Sequence, residues 1–251
     1  MKKALMWSVL FFAAVFPSWA GPTANISGPS TGFQGYLDPA MTVAVNLAEG
    51  RDAAGARPST LTGLGVIMGI LPGSLVSGEA GLDYKSCGGP ADDNPLYFNA
   101  KIGFPEGALG AGAPALAGGI FDAGTNSARS AYNIYYTQAA KAVKVGGFDL
   151  GSFSAGWFRG DPDLLVDSAG GRDNSGLLAA WSRTMSEVSE KLWVSADYLG
   201  TKSAYGSLNL GLAWKFNSKV SAILGYNIFN NKDYVNTHNV QLTLGLGADA
   251  K

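Results

Sequence analysis

The C-terminal part of the chain alternates strictly between apolar and polar positions. In residues 206–216 every second side chain from Leu208 onward is that of a leucine or an aromatic residue, and those between are small or polar. The alternation restarts after Asn217 and Ser218, and it returns in residues 239–247. A period of two sustained over about ten residues predicts β-strands that have one apolar face and one polar face.

Similar segments recur toward the N-terminus and predict an all-β chain of about twelve strands. The predicted strands are 41–47, 62–70, 75–85, 95–104, 113–123, 132–144, 149–159, 174–184, 191–201, 205–216, 219–229 and 238–247. Alternation is weakest in the small-residue-rich segments 41–47, 62–70 and 113–123.

The connections between these strands are sorted by length. Long polar connections follow the odd-numbered strands, namely 48–61, 86–94, 124–131, 160–173 and 230–237. Short ones follow the even-numbered strands, namely 71–74, 145–148, 185–190 and 217–218. Two connections depart from the rule, a tight one at 202–204 and a longer one at 105–112. The asymmetry favours a single antiparallel transmembrane β-barrel with short periplasmic turns, longer outer loops and both termini in the periplasm.

Aromatic residues are expected at two levels of this barrel, as in the aromatic belts of proteins in lipid. Near the short turns the sequence places Phe104, Trp181, Trp193, Trp214 and Phe216. Near the long loops it places Tyr84, Tyr132, Trp157, Tyr198 and Tyr226.

The first twenty residues are predicted to be a secretory signal peptide. Lys2 and Lys3 precede the apolar stretch 4–16, and small residues at Ser18 and Ala20 form a cleavage site. Residues 21–40 show no clean alternation and are expected to be a periplasmic or lumen-entering leader. The barrel is expected over 41–247, with a C-terminal tail at 248–251.

Composition narrows the function classes. Without Lys2 and Lys3 the chain has 16 basic and 19 acidic residues, a net charge of about −3, and it has no basic run. A nucleic-acid partner is therefore not expected. Charged residues make up 15% of the chain and no stretch is apolar enough for a helical span. Cys87 is the single cysteine, so no intramolecular disulfide can form.

The polar parity predicts the lining of the lumen. The candidate lumen-facing polar residues are Glu79, Asp83, Asn99, Lys101, Asp197, Asn209, Lys215, Asn227, Asn239 and Gln241. Antiparallel pairing brings Glu79 near Lys101 as a cross-strand ion pair, and it aligns Asp197, Asn209, Asn227 and Asn239 in one row. Small inward residues such as Gly211 favour open space, but twelve strands lie between filled and channel-forming barrels. A narrow pore and a closed structural barrel both stay open.

Little in the sequence indicates catalysis, and we predict no catalytic residue, cofactor or metal site. His238 is the only histidine, and no nucleophile motif accompanies it. Asp161, Asp163, Asp167 and Asp173 lie in one loop, but their spacing does not match a calcium-binding loop, which favours a solvated acidic surface. Metal binding at Cys87 is not expected, because no partner ligand lies near it in the sequence.

Across Thr42 to Gly247 the chain resembles Gram-negative outer-membrane β-barrel, porin-like proteins as a class. Segments 173–176 and 191–198 are similar to those of porin-like proteins. The resemblance implies Sec-type export, cleavage following Ala20 and a location in the cell outer membrane. It also implies two partners, outer-membrane lipid and the barrel-assembly machinery, and leaves a small solute as a candidate ligand.

One feature departs from that class, whose members usually end on an aromatic residue. Here the last strand is followed by residues 248–251, and Leu244 and Leu246 take the aromatic places. Three functions follow as hypotheses. The first is a narrow, weakly selective pore for small solutes. The second is a structural or adhesive barrel whose outer loops bind a partner or surface polymer, with an occluded lumen. The third is a barrel hydrolase using His238.

Overall fold

Twelve β-strands are found in the part of the chain that the structure describes. The computed structural model describes residues 28–48, 61–86, 90–233 and 237–247. The strands are β1 Pro39–Ala48, β2 Leu61–Gly69, β3 Ser77–Ser86, β4 Leu96–Phe104, β5 Ala115–Gly124, β6 Ile134–Val145, β7 Phe148–Arg159, β8 Ser175–Thr184, β9 Leu192–Leu199, β10 Ser207–Lys215, β11 Val220–Phe229 and β12 His238–Gly247. Each overlaps one predicted strand, so the all-β prediction and the count of twelve are confirmed.

The sheet closes on itself, because β1 pairs with both β2 and β12. Each strand is antiparallel to its neighbours in the chain. At the seam, Val43 of β1 lies opposite Leu64 on one side and Leu244 on the other. A closed ring leaves no unpaired strand edge to recruit another chain. The prediction of one antiparallel barrel is therefore confirmed.

The two ends of the barrel differ in their connections. The connection 160–174 between β7 and β8 is long, whereas Gly146 and Gly147 alone join β6 to β7. Both ends of the strand series meet beside the short turns, where Ala40 pairs with Gly247. We call this the short-turn end and the opposite one the long-loop end. Among the described residues, no helix has the length and hydropathy needed to cross a membrane.

The outer wall is apolar between two aromatic levels. Its strands present aliphatic side chains that are more than a third exposed, including Val43, Leu64, Val66, Ile102, Leu177, Leu210, Leu212, Leu224, Leu242 and Leu244. Most of the predicted belt residues lie on this wall, namely Tyr84, Phe104, Trp157, Trp181, Tyr198, Trp214, Phe216 and Tyr226. This is the distribution expected of a barrel surrounded by lipid.

The prediction that Trp193 and Tyr132 belong to the aromatic belts is wrong. Trp193 pairs with Ala213 and packs inside against Ala213 and Ile223. Tyr132 lies before β6 and contacts the rings of Tyr97 and Tyr205 inside the barrel. Position along a strand locates a belt, but only parity decides which side of the wall a ring occupies.

A bulge in β5 changes which residues face inward. Phe98 pairs with Ala123 and Ala100 with Ile120, so two residues of β5 stand opposite Asn99 alone. Those two are Phe121 and Asp122, and Asp122 has a φ of 51°. An extra residue in one strand lets neighbouring side chains point to the same face. Asp122 therefore faces the lumen, where strict alternation would have placed it outside.

The bounds of the barrel can be compared with the sequence prediction, whereas some other predictions fall outside the described residues. The barrel begins two residues earlier than predicted, at Pro39 rather than residue 41, and it ends at Gly247. The signal peptide, the tail 248–251 and Cys87 lie outside the described residues.

A lysine at mid-height on the outer wall should destabilise the barrel in lipid. Leu212 lies opposite Val194 and Leu224, between the belt levels, whereas Leu208 lies opposite Tyr198 in the long-loop belt. We expect Leu212→Lys to lower the free energy of unfolding by about 2–4 kcal/mol and Leu208→Lys by about 0–1 kcal/mol, since the cost depends on depth. Urea unfolding of heat-modifiable protein in vesicles measures both, and equal losses would contradict the assignment.

Candidate functional site

A segment of the chain before β1 lies inside the barrel. We call residues 28–38 the lumen segment; Gln34 within it is only 5% exposed. It enters at the short-turn end, where the Leu37 N–H donates to the Gly69 carbonyl over 2.8 Å. A Cβ atom at Gly69 would overlap the carbonyl oxygens of Gly35 and Gln34, so this close approach requires glycine. Residues 28–38 belong to the stretch 21–40 that the sequence assigns to a leader, and they are its described part before β1.

Glu79 and Lys101 hold the lumen segment from the barrel wall, and we call this pair the lumen clamp. Lys101 Nζ lies 2.9 Å from Glu79 Oε1, and both side chains are 4% exposed. The ammonium also donates to the carbonyls of Ser30, at 3.1 Å, and Gly32, at 2.5 Å. Glu79 Oε2 accepts the N–H of Gln34 at 2.9 Å. The clamp thus neutralises itself and binds the main chain of the segment at three points.

Beyond the clamp the lumen segment reaches the opposite wall. Gly28 is buried, and a Cβ atom placed on it would lie 3.4 Å from Leu199 Cδ1 and 3.6 Å from Asp197 Oδ1. Both residues belong to the part of β9 nearest the long-loop end. The segment therefore crosses the lumen from the β2–β4 side at the short-turn end toward β9.

A second charged network surrounds the β5 bulge. Lys85 Nζ lies 2.5 Å from Asp122 Oδ1, and the Tyr205 hydroxyl donates to Asp122 Oδ2 over 2.5 Å. Asn99 accepts the Asp122 N–H at 3.0 Å and donates to Asp83 Oδ2 at 2.8 Å. Because each carboxylate has a donor, the network satisfies buried charges that would otherwise be costly.

Tyr205 lies in the loop between β9 and β10 and joins that loop to the network through its hydrogen bond to Asp122. Burial raises the pKa of the Tyr205 phenol well above its usual range, and the neighbouring Asp122 carboxylate raises it further. The neutral phenol, which donates to Asp122, therefore persists to alkaline pH.

An apolar cluster fills the long-loop end beside β6–β9. Its buried members are Ile134, Tyr136, Phe158, Leu165, Leu178 and Leu199. Leu165 comes from the connection 160–174 and is fully buried, so this loop folds inward over the barrel. Phe121, Tyr132 and Tyr205 pack against the cluster, with ring centroids 5.2 to 6.3 Å apart. Part of the outer mouth is thereby covered.

A ladder of amides lines the wall formed by β9–β12. Asn209 Nδ2 donates to Asp197 Oδ1 at 2.7 Å, and Asn227 Nδ2 donates to Asn239 Oδ1 at 2.6 Å. Strand register also places Asn209 opposite Asn227, so the four residues form the row expected from the sequence. Gln241 Nε2 continues the wall by donating to Thr243 Oγ1 at 3.0 Å.

Between the clamp and the bulge network a cavity of about 290 Å³ stays open. Its lining includes the clamp, the bulge network and the N-terminal part of the lumen segment. The polar side chains that line it are Thr42, Glu79, Asp83, Lys85, Asn99, Lys101, Asp122 and Tyr136. The cavity is thus a charged, hydrogen-bonding chamber.

The remaining predicted lumen residue, Lys215, lies near the short-turn end. It pairs with Ser221, whose side chain is buried on the inner face. Sequence reasoning missed Lys85, which shares parity with Asp83 and could have been found from it. It also missed Asp122, which only the bulge turns inward, and Leu165 and Tyr205, which lie in loops without periodicity.

His238 lies on the outer wall rather than in the lumen. Its ring stacks on Tyr226, with centroids 5.8 Å apart, and its Nδ1 lies 2.9 Å from Thr237 Oγ1. The aspartates of the 160–174 connection act as local acceptors: Asp161 accepts the N–H groups of Asp163 and Leu164, and Asp167 those of Ala169 and Gly171. Within the described residues no group of three or more metal-ligating side chains converges.

Removing the carboxylate of the bulge network should destabilise the barrel. Asp122→Asn removes the carboxylate that pairs with the Lys85 ammonium at 2.5 Å, and we expect the free energy of unfolding to fall by about 3 kcal/mol. Arg129→Gln is the control, because it breaks an exposed ion pair with Asp93 and should change stability by less than about 1 kcal/mol. Urea titration of the folded band compares them, and an effect of Asp122→Asn no larger than the control would contradict the network's role.

The raised pKa of Tyr205 predicts a loss of stability at high pH. The phenol is neutral in the folded protein above the usual pKa of about 10, where it ionises in the unfolded chain. Its stabilising contribution is therefore present below about pH 10 and is lost as the pH rises through the folded-state value. In phenolate absorbance titrations, Tyr205→Phe should remove one late-ionising tyrosine. Loss of an early-ionising one instead would show that Tyr205 is not protected.

Comparison with known proteins yields structural likeness only. The sequence matches no protein-family model and no curated protein. Among solved structures, it is similar to the COG4313 outer membrane channel from Pseudomonas putida F1, with 11% identity, 85% of this chain and 95% of that chain covered, and a TM-score of 0.47. It is similar to the KdgM porin, with 8% identity, 84% and 99% covered, and a TM-score of 0.49. It is also similar to the outer membrane phospholipase A from Escherichia coli, with 10% identity, 87% and 95% covered, and a TM-score of 0.44. All three scores lie below 0.5, so function is inferred below from this chain's own residues.

Proposed function

We propose that this protein is an outer-membrane β-barrel whose lumen passes small solutes. The observation that carries the proposal is the polarity of the closed wall. Leucine, valine and aromatic side chains face outward around the ring, and buried polar side chains such as Asp197, Asn209 and Asn227 face inward. A barrel in water would place its apolar face inside, whereas one in lipid has the polarity seen here.

Unpartnered polar atoms on the inner wall support a hydrated lumen. Among the described residues, Gln138 Oε1, Asn209 Oδ1 and Asn227 Oδ1 are buried and lack a hydrogen-bond partner in the protein. Buried polar groups in native proteins are satisfied by protein or by water. Their placement along the wall is suited to a path lined by water.

The cavity limits the size and charge of what passes. A chamber of about 290 Å³ lies at the lower limit of small-molecule sites, which favours small solutes. The named charges on the inner wall nearly balance: Glu79, Asp83, Asp122 and Asp197 are acidic, whereas Lys85, Lys101 and Lys215 are basic. Selectivity by charge is therefore expected to be weak.

The proposal includes the route to the membrane. A signal peptide cleaved following Ala20 would lead the chain to Sec-type export, and the barrel-assembly machinery would insert it into outer-membrane lipid. Fractionation to the outer membrane together with heat-modifiable migration supports this route, whereas a soluble periplasmic protein would contradict it.

A second candidate is a structural or adhesive barrel that binds a partner through its outer loops. It is favoured by the inward-folded connection 160–174, where Leu165 is fully buried. The same connection is tied down by the Arg172–Asp163 ion pair at 2.8 Å and by Asp173, which accepts the Lys202 N–H at 2.6 Å. A barrel of this kind would give no conductance in any folded form.

Charges introduced in the cavity should change ion selectivity. Thr42 lines the cavity and its side chain is exposed there. The test is the reversal potential in planar bilayers under a KCl gradient. We expect Thr42→Asp to shift it toward the value of a cation-selective pore and Thr42→Lys toward that of an anion-selective pore, because charge on a pore wall enriches counter-ions.

Val188 offers a matched control, since it is 69% exposed on the turn between β8 and β9. Val188→Asp and Val188→Lys carry the same charge changes outside the lumen and should leave the reversal potential unchanged. If the channel conducts but neither Thr42 variant changes its reversal potential, the ions do not pass through this cavity.

A further inference from the structure

We propose that the lumen segment is a releasable plug and that the Glu79–Lys101 clamp is its latch, so that release of residues 28–37 opens the conduit. This inference rests on the proposed pore function and concerns the regulation of that site. It follows from three features of the described residues: the latch binds main chain, the segment is separable from the wall, and its base is a strained turn.

The lumen clamp holds the segment mainly through hydrogen bonds to its main chain. Lys101 donates to the carbonyls of Ser30 and Gly32, and Glu79 accepts the N–H of Gln34. The Lys101 ammonium also lies over the Phe33 ring, 4.9 Å from its centroid. Meanwhile Gln34 Oε1 is buried without a protein partner. A core element is packed through its own side chains, whereas the clamp holds this segment by charge-assisted hydrogen bonds to its main chain.

The segment can leave without opening the barrel. At its C-terminal end the segment meets the wall through an isolated parallel bridge between Tyr36 and Gly69, outside the named strands. The ring closes through β1 and β12, which begin and end beyond it at Pro39 and Gly247. Small residues in 28–32 let it lie in the lumen, and the strand pairs that close the ring are formed without residues 28–38.

The base of the segment has the geometry of a hinge. The Asp38 N–H donates to the Gly35 carbonyl over 2.9 Å, which closes a turn just before β1. Leu37 within this turn has a φ of 57°, a left-handed conformation that costs free energy for a residue with a side chain. The turn is therefore a place where the backbone can relax when the segment is released.

Release would expose the clamp to solutes. Lys101 then offers donors and Glu79 acceptors at the level where the segment now lies. Solutes that carry carbonyl, amide or hydroxyl groups can take the place of the main chain there. The plug thus occupies the same polar groups that the proposed conduit presents to its solute.

Single-channel recording on folded, full-length variants tests the plug. Glu79→Gln/Lys101→Met removes the latch charges, and its matched control is Glu106→Gln/Lys141→Met, which makes the same changes in a partly exposed pair at 2.8 Å. Gly69→Val pushes the segment away without changing charge, and deletion of 28–37 removes it. We expect the wild type and the control to open rarely. The latch variant and Gly69→Val should open about tenfold more often or more, as loss of charge-assisted hydrogen bonds predicts. The deletion should open steadily.

The outcomes separate the plug from the pore. Wild type and all three plug variants opening equally often, with equal steps, would overturn the plug and leave the pore standing. Folded, heat-modifiable protein that never conducts in any variant would overturn the pore, and with it the plug. If the deletion does not fold, the latch variant and Gly69→Val decide alone, and no increase in either overturns the plug.

Discussion

The structure depends on the closure of the sheet between β1 and β12. Closure satisfies every strand edge within the chain, so the outer wall can be apolar all round without exposing unpaired backbone to lipid. It also encloses half of the strand side chains in a confined space. Polar groups placed there must find partners across the lumen, with water, or in a segment that enters from one end.

That confinement explains how charges are arranged inside. Glu79 with Lys101 and Asp122 with Lys85 lie on neighbouring walls as ion pairs that also take main-chain or side-chain hydrogen bonds. An unpaired charge at the position of Glu79 or Lys101 would be costly, because both side chains are only 4% exposed. The amide ladder on β9–β12 solves the same problem with neutral groups. One wall is therefore held by charges and the facing wall by amides, with the lumen segment between them.

The two ends of the lumen are narrowed by different physical means. At the long-loop end an apolar cluster around Phe158 and Leu165 excludes water, as in a protein core. On the clamp side the obstruction is a strand-free segment held by polar contacts to its main chain. Polar contacts can exchange for contacts with water or solute at a low net cost in free energy. Dispersing an apolar cluster costs much more, because its side chains become exposed to water. The apolar cluster is therefore a fixed constriction, and the lumen segment is the one that we propose can be removed.

The sequence by itself determined the strands, their number, the lengths of the connections and the polar wall. Those features follow from a period of two, which acts locally and repeats. Glu79 opposite Lys101 and the row from Asp197 to Asn239 followed as soon as neighbouring segments were paired antiparallel.

Tertiary structure alone decided what fills the lumen. The bulge that turns Asp122 inward breaks the periodicity, and the inward positions of Tyr132 and Leu165, which lie outside the strands, depend on packing. The path of residues 28–38 depends on a clamp whose members lie more than forty positions along the chain from Gln34. Periodicity describes one strand at a time, whereas the contents of a closed barrel are set by residues that meet only after the ring has formed.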